Sequence, residues 1–117
     1  MTFNDLGLSE ELLKAVTAMG FETPSEIQEK SIPELLSTER DYVGLAQTGT
    51  GKTAAFGLPM IEQIDPSFKS IQGLILCPTR ELCIQIAREM TAYSKYSDGV
   101  KVVAVYGGAS IQDQIRA

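Results

Sequence analysis

The chain has no histidine among its 117 residues. Without an imidazole it cannot form a Ser-His or Cys-His catalytic pair, and it cannot give a histidine ligand to a metal. Cysteine is almost as scarce, and the spacing of Cys77 and Cys83 matches no zinc or redox motif, which favours two buried, reduced thiols. Hydrolases that depend on histidine are therefore excluded as a description of this chain.

Long apolar runs and clustered basic residues are also lacking. The apolar run at 73–77 is far shorter than the roughly 20 residues of a membrane-spanning helix, and the N-terminus has neither the basic nor the hydrophobic part of a signal peptide. The net charge of −5 disfavours broad electrostatic capture of nucleic acid. We expect a cytoplasmic protein without a membrane partner, in which any nucleic-acid contact depends on a few placed groups or on another domain.

The first forty residues predict helices within a chain that has the length of one domain or part of one. Ser9 can cap a helix with Leu12 and Val16 on its apolar face, and Gly20 can end it.

A second helix is predicted to begin at Thr23, with Pro24 in its first position. Glu26 would complete a capping box with Thr23. Pro33 should split this helix in two, because proline removes a hydrogen bond from a helix interior.

From residue 41 onward the pattern changes to α/β. The apolar segments 42–46, 73–77 and 100–106 predict strands, and each is followed by a helix or by the start of one. Strands that alternate with helices predict a parallel sheet flanked by helices, with right-handed crossovers.

A phosphate-binding loop follows the first predicted strand. It consists of Ala46, Gln47, Thr48, Gly49, Thr50, Gly51, Lys52 and Thr53. Its glycines let the backbone turn tightly and present N–H groups, Lys52 can reach the β- and γ-phosphates, and the Thr53 hydroxyl can ligate Mg²⁺. Ala46 stands where the general pattern has glycine, so an ordinary Gly/Thr-rich turn before a helix stays an alternative.

Three loops are expected to meet at one edge of the sheet. The loops at 47–51, 78–79 and 107–110 each follow the carboxyl end of a predicted strand, where ligands bind in parallel sheets. Helix N-termini attract anions, so one loop could hold a nucleotide and the others the backbone of a nucleic acid. The alternative is that the second and third loops are only turns.

The motifs together resemble the DEAD-box ATP-dependent RNA helicases. Residues 20–28 look like the Q motif of that family, and Phe3 lies where the family has an isolated upstream aromatic residue. The loop at 46–53 matches motif I, in which Ala is usual at the first position. Residues 78–82 match motif Ia and 107–108 the GG motif, all in the family's order.

The resemblance implies the N-terminal part of the first RecA-like domain. Residues 1–40 would be a helical Q-motif segment, and residues 41–117 the first part of the ATP-binding domain. ATP and Mg²⁺ are the implied cofactors. The implied partners are RNA, the remainder of the first domain and a second RecA-like domain.

For the nucleotide, the resemblance implies that Gln28 bonds the edge of adenine. An amide offers one donor and one acceptor, which matches adenine N6 and N7. Phe21 would pack beside the base, Phe3 would support the motif, and Thr23 would help to position Gln28. Without the resemblance, a surface glutamine and core aromatics would be the simpler interpretation.

For RNA, the implied contacts are sequence-independent and involve the backbone. The residues that would line the RNA path are Pro78, Thr79, Arg80, Glu81, Gly107 and Gly108. Arg80 is suited to bind a phosphate. Glu81 is not, and is expected to orient its neighbours or to stabilise the helix N-terminus.

The acidic motif that would complete a catalytic site does not occur here. Phosphoryl transfer in such enzymes needs an acidic group on Mg²⁺, a group that orients water and usually an arginine finger. No predicted apolar strand of the chain ends in an acidic residue. We therefore expect the parent protein to be an RNA-dependent ATPase and helicase, and this piece alone to be inactive.

Three alternatives stay open at this point. The first is another P-loop NTPase, such as a GTPase or a small-molecule kinase. The second is a truncated, non-hydrolysing module that binds nucleotide or RNA. The third is a DNA helicase or translocase.

Overall fold

The computed structural model describes residues 1–47, 49 and 51–107. This part of the chain contains a 3₁₀ helix at Phe3–Leu6 and four α-helices. The α-helices are α1 (Glu10–Ala18), α2 (Glu26–Ser37), α3 (Lys52–Glu62) and α4 (Arg80–Tyr93).

Helix α1 confirms the first predicted helix. Ser9 occupies the N-cap position, and Leu12 and Val16 are buried on one face. The chain leaves the helix at Gly20, whose φ of +82° is the left-handed conformation expected of a glycine stop.

The start of helix α2 differs from its prediction. Its N-cap is Ser25 rather than Thr23, and the third helical residue that reaches back to the cap is Gln28 rather than Glu26. The serine offers the same capping chemistry as the threonine, and the amide of Gln28 accepts from the Ser25 N–H at 2.9 Å.

Pro33 lies within α2 and does not divide it. An internal proline costs a helix about 3 kcal/mol. Packing of α2 against α3 and against the 3₁₀ helix offsets this cost and keeps the twelve-residue helix continuous.

The core lies between the helices. Helix α3 contacts both α2 and α4, and α1 also contacts α4. The largest fully buried side chains are Leu6, Leu12, Val16, Ile32 and Leu58. Burying one aliphatic side chain of this size contributes about 1.5–3 kcal/mol, so these residues stabilise the one core cluster to which they all belong.

The predicted strands are not assigned as strands among the described residues. A strand requires a hydrogen-bonded neighbour, and the segments at 42–46, 73–77 and 100–106 form no ladder with one another. The parallel sheet therefore stays a prediction.

These segments nevertheless show the burial pattern of sheet residues. In 100–106, even-numbered residues are half-buried and odd-numbered residues are exposed, which is the period of two of an extended chain lying on helices. Val43, Leu45, Leu74 and Leu76 are each at least 75% exposed. The extended segments 42–46 and 73–77 thus carry apolar side chains that the described part of the chain leaves exposed.

None of the helices described has both the length and the apolar character that crossing a membrane requires.

Candidate functional site

The predicted phosphate-binding loop contains two glycines in the left-handed conformation. Gly49 and Gly51 have φ values of +79° and +83°, and among the described residues only glycines adopt positive φ. Gly51 is the N-cap of α3, so the helix begins at Lys52 as the motif predicted. Thr48 and Thr50, which were also predicted to bind nucleotide, lie outside the described residues.

The N-terminus of α3 lacks the acidic residue that the other α-helices carry. The first turns of α1, α2 and α4 each contain glutamate, whereas that of α3 contains none. Gly51 also has no side chain to cap the helix. Among the described residues, no side chain caps the first-turn N–H groups, so these groups and their partial positive charge can face an external anion.

Lys52 and Thr53 extend this site with side chains. Lys52 is exposed and Thr53 is half-buried, both in the first turn of α3. An ammonium and a hydroxyl beside free N–H groups fit a triphosphate with its Mg²⁺. Among the described residues, no group of three or more acidic or cysteine side chains is placed to hold a metal ion.

Gln28 joins the second helix to the phosphate-binding loop. It is 5% exposed, and its Oε1 accepts from the Ser25 N–H at 2.9 Å while its Nε2 donates to the Gly51 carbonyl at 3.1 Å. A Cβ at position 51 would collide with the Gln28 amide. The predicted reader of adenine therefore contacts the loop that is predicted to bind the phosphates.

This contact was not predicted from the sequence. The resemblance pointed only to the base as the partner of Gln28. A capping box with glutamine as its third helical residue would have indicated the bond to Ser25, but no local pattern indicates a partner 23 residues away.

Phe21 lies in an aromatic cluster with Phe3 and Tyr93. Its ring is 6.1 Å from that of Phe3 and 6.4 Å from that of Tyr93, measured between centroids. Phe3 and Tyr93 are buried, and Phe21 is half-buried. Burial raises the pKa of Tyr93. Phe3, which was predicted to support the motif, is thus in ring contact with Phe21.

A side chain of the second loop caps the helix that follows the loop. Thr79 is the N-cap of α4, and its Oγ1 accepts from the Leu82 N–H at 3.1 Å. Glu81 lies in the first turn. Pro78, Thr79, Arg80 and Glu81 are all exposed.

Arg80 contacts the extended segment that precedes the third loop. Its guanidinium carbon lies 5.9 Å from the ring centroid of Tyr106, within the range of a cation–π contact. Tyr106 precedes Gly107, which is exposed, while Gly108 lies outside the described residues. No sequence pattern indicated that Tyr106 lies beside Arg80.

Comparison with known proteins places the chain in a family. Residues 25–117 match the model of the DEAD/DEAH box helicases. The chain is 55% identical over 117 residues to an ATP-dependent RNA helicase DeaD of Haemophilus influenzae. It is 53% identical over 116 residues to the DeaD protein of Escherichia coli K12 and 53% identical over 115 residues to the helicase CshA of Listeria monocytogenes.

These matches cover 98–100% of the chain but only 18–22% of the relatives. The chain thus spans about a fifth of the length of the curated relatives.

Solved structures of proteins from this family also align with the chain. A DEAD box protein from Methanococcus jannaschii aligns with a TM-score of 0.92 at 44% identity, covering 99% of this chain and 31% of the other. Dbp5 of S. cerevisiae, bound to RNA and ADP BeF3, aligns at 0.84 and 36% identity, covering 94% and 29%. The resemblance seen in the motifs is confirmed, and the chain belongs to the DEAD/DEAH box helicase family.

Proposed function

We propose that the chain is the N-terminal part of an ATP-dependent RNA helicase and that it binds ATP with Mg²⁺ through the loop at 46–53. The observation that carries this proposal is the N-terminus of α3, which has no capping side chain and no acidic residue in its first turn. Three components support phosphate binding there: the backbone N–H groups, Lys52 and the Thr53 hydroxyl. Residues 1–40 then form a helical segment that supplies Gln28 and Phe21 to the nucleotide site.

Gln28 would exchange partners when the base binds. Its Oε1 and Nε2 are both engaged, by Ser25 and Gly51. Adenine presents the matching pair, an N6 donor and an N7 acceptor. When both amide atoms of Gln28 bond to the base, the Gly51 carbonyl loses its hydrogen bond to Gln28. Recognition of the base would therefore change the contacts of the loop through this one side chain.

The RNA contacts proposed for the second and third loops depend on Arg80. Its guanidinium is exposed and held beside Tyr106, where it can donate to a phosphate oxygen. Pro78, Thr79, Glu81, Gly107 and Gly108 would shape the path beside it. Contacts of this kind bind the backbone of RNA without reading its sequence.

Catalysis would need groups from the rest of a full-length protein. When bound, Mg²⁺ would neutralise charge on the phosphates, and Thr53 is the residue of this chain that would hold it. We propose that this chain alone binds ATP without hydrolysing it, and that the parent acts in the cytoplasm. RNA-stimulated ATPase activity of residues 1–117, above that of a Lys52→Ala control, would contradict this.

The binding proposal is tested by titrating a fluorescent ATP analogue against the chain. Lys52→Ala should weaken binding about tenfold or more, because a charge-assisted bond to phosphate is lost. Lys69→Ala is the matched control, since Lys69 is also exposed but lies outside the site. Equal affinities of the two variants would contradict the proposal.

Base recognition is tested by competition with GTP. Gln28→Ala should remove the preference for ATP over GTP, with a circular dichroism spectrum that shows the helices retained. A preference for GTP in the unmodified chain would instead support a GTP-binding P-loop protein.

A further inference from the structure

One buried hydroxyl beside the predicted phosphate-binding loop lacks a hydrogen-bond partner. Ser25 occupies the N-cap position of α2, but its Oγ forms no capping hydrogen bond. The Oγ is a buried atom, and none of the described residues provides it with a partner. Burial removes the bonds that a hydroxyl would make to water, so an unpaired one destabilises the folded chain. A partner that is available only in another state of the molecule would explain why the hydroxyl is there.

The hydroxyl borders the same glycine as the Gln28 amide. A Cβ built on Gly51 would lie 3.2 Å from the Ser25 Oγ, and it would collide with the Gln28 side chain. Since glycine has no Cβ, this space is open between the hydroxyl and the backbone of the loop. Two side chains from the start of α2 therefore meet the loop at one residue.

The Gly51 carbonyl already accepts two hydrogen bonds. The Ala55 N–H donates to it at 3.2 Å, as part of the first turn of α3, and the Nε2 of Gln28 donates to it at 3.1 Å. A carbonyl oxygen has two lone pairs, so both are occupied while Gln28 contacts the loop. The Ser25 hydroxyl is thus next to an acceptor that Gln28 occupies.

We propose that Ser25 is a positioning residue of the nucleotide site, whose hydroxyl donates to the Gly51 carbonyl once a bound base has taken the Gln28 amide. This rests on the proposed function, in which the base bonds to both amide atoms of Gln28. The hydroxyl of a serine turns with its side chain and can donate one hydrogen bond. It can therefore replace the amide while α2 stays in place, and the loop keeps a partner from α2 in both states.

The exchange predicts which ligands depend on Ser25. In the free chain the Gly51 carbonyl is paired with Gln28 and the hydroxyl is unpaired. A base that takes the amide lets the hydroxyl form a bond that the free chain lacks. A triphosphate without a base leaves Gln28 on Gly51, so Ser25 contributes nothing to its binding.

Isothermal titration calorimetry with two probes tests this difference. The probes are a non-hydrolysable ATP analogue and inorganic tripolyphosphate, both with Mg²⁺. Ser25→Ala should bind the ATP analogue about fivefold more weakly, as for the loss of one neutral hydrogen bond, and should bind tripolyphosphate as the unmodified chain does. Ser25→Thr, which keeps a hydroxyl, should retain both affinities. Equal weakening for both probes, or no weakening for either, would overturn the proposal.

Ser9→Ala is the matched control. Ser9 is the N-cap of α1 and, like Ser25, is half-buried and forms no capping bond with its side chain. It has no part in the proposed nucleotide site, so the variant should leave both affinities unchanged. If Ser9→Ala weakens binding of the ATP analogue as much as Ser25→Ala does, the effect belongs to helix capping and the proposal is wrong.

A double-mutant cycle tests the exchange without a nucleotide. In Gln28→Ala the Gly51 carbonyl has lost its amide partner, so the Ser25 hydroxyl should donate to it already in the free chain. Adding Ser25→Ala to this variant should lower the midpoint of urea unfolding by more than Ser25→Ala does alone. Equal changes in the two backgrounds would contradict the exchange. If the unmodified chain binds neither probe, the proposed nucleotide function fails, and the cycle still decides whether Ser25 can replace Gln28.

Discussion

The N-termini of α3 and α4 both follow an extended segment, yet they are built in opposite ways. Helix α3 begins with Gly51 in a left-handed conformation, with no side-chain cap and no acidic first turn. Helix α4 begins with Thr79, whose hydroxyl accepts from the Leu82 N–H, and with Glu81 in its first turn.

Under the proposed function, the difference corresponds to two ways of binding a phosphate. The start of α3 leaves its backbone N–H groups open, so an anion can take them directly. The start of α4 satisfies its own backbone and its own dipole, so an anion there must be bound by a side chain. Arg80 is the cation at that position, and Tyr106 holds it in place.

The largest effect is expected from Gly51→Ala, which alters the open N-terminus. Alanine at a φ of +83° costs about 1–2 kcal/mol. Its Cβ would also displace the Gln28 amide from the Gly51 carbonyl, and a buried amide without its partner costs about 1–3 kcal/mol more. Urea unfolding followed by circular dichroism should show both losses, together with weaker binding of an ATP analogue.

Gly20→Ala is the matched control for this variant. Gly20 has nearly the same φ, +82°, but no atom lies within 4 Å of an added Cβ. It should therefore show the conformational cost alone and leave nucleotide binding intact. Equal losses in the two variants would mean that the contact of Gln28 with the loop contributes nothing.

Arg80→Ala should separate the two sites. The affinity for RNA should fall about tenfold, because one charge-assisted contact is lost. The slope of log affinity against log salt concentration should also become shallower, by about the amount that one phosphate contact contributes. Affinity for the ATP analogue should not change, since α3 is untouched. Arg88→Ala, which removes an exposed arginine further along α4, is the control. An equal effect of both variants would indicate diffuse attraction rather than a placed group.

A smaller effect is expected from Thr79→Ala. Loss of an N-cap hydroxyl costs about 1 kcal/mol, and here it frees the Leu82 N–H. Thr91→Ala, in the interior of α4, removes a hydroxyl that donates to the Ala87 carbonyl and should cost nothing or stabilise the helix slightly. Urea midpoints of the two variants measure the difference, and a Thr91→Ala loss as large as that of Thr79→Ala would argue against capping.

The smallest effect is expected from Glu81→Gln. A carboxylate at a helix N-terminus contributes about 0.3–1 kcal/mol. Its loss should lower stability at low salt and almost disappear at high salt, where exposed charges are screened. A loss that is independent of salt would assign Glu81 a contact other than the helix dipole.

The success of sequence interpretation differed between elements for physical reasons. The start of α1 was correct because Ser9, a residue type that favours the N-cap position, lies directly before the helix it begins. The start of α2 was wrong because Ser25 competes with Thr23 as a cap, and local patterns do not rank two good caps. Its continuity through Pro33 depends on packing against α3, which a local rule omits.

The candidate site likewise combines residues that a local motif predicted with contacts that no local motif predicted. Gly49, Gly51, Lys52 and Thr53 were assigned from one contiguous motif, whose function resides in the local backbone. The bond from Gln28 to Gly51 and the contact of Arg80 with Tyr106 join residues 23 and 26 positions apart. No spacing rule predicts such pairs.

By itself the sequence determined the family and predicted a phosphate-binding loop, because both are encoded within a few consecutive residues. Only the tertiary structure decided that Gln28 contacts Gly51 and that Arg80 lies against Tyr106. These contacts arise where separate helices and extended segments bury apolar side chains against one another, and that packing brings together groups that are distant along the chain.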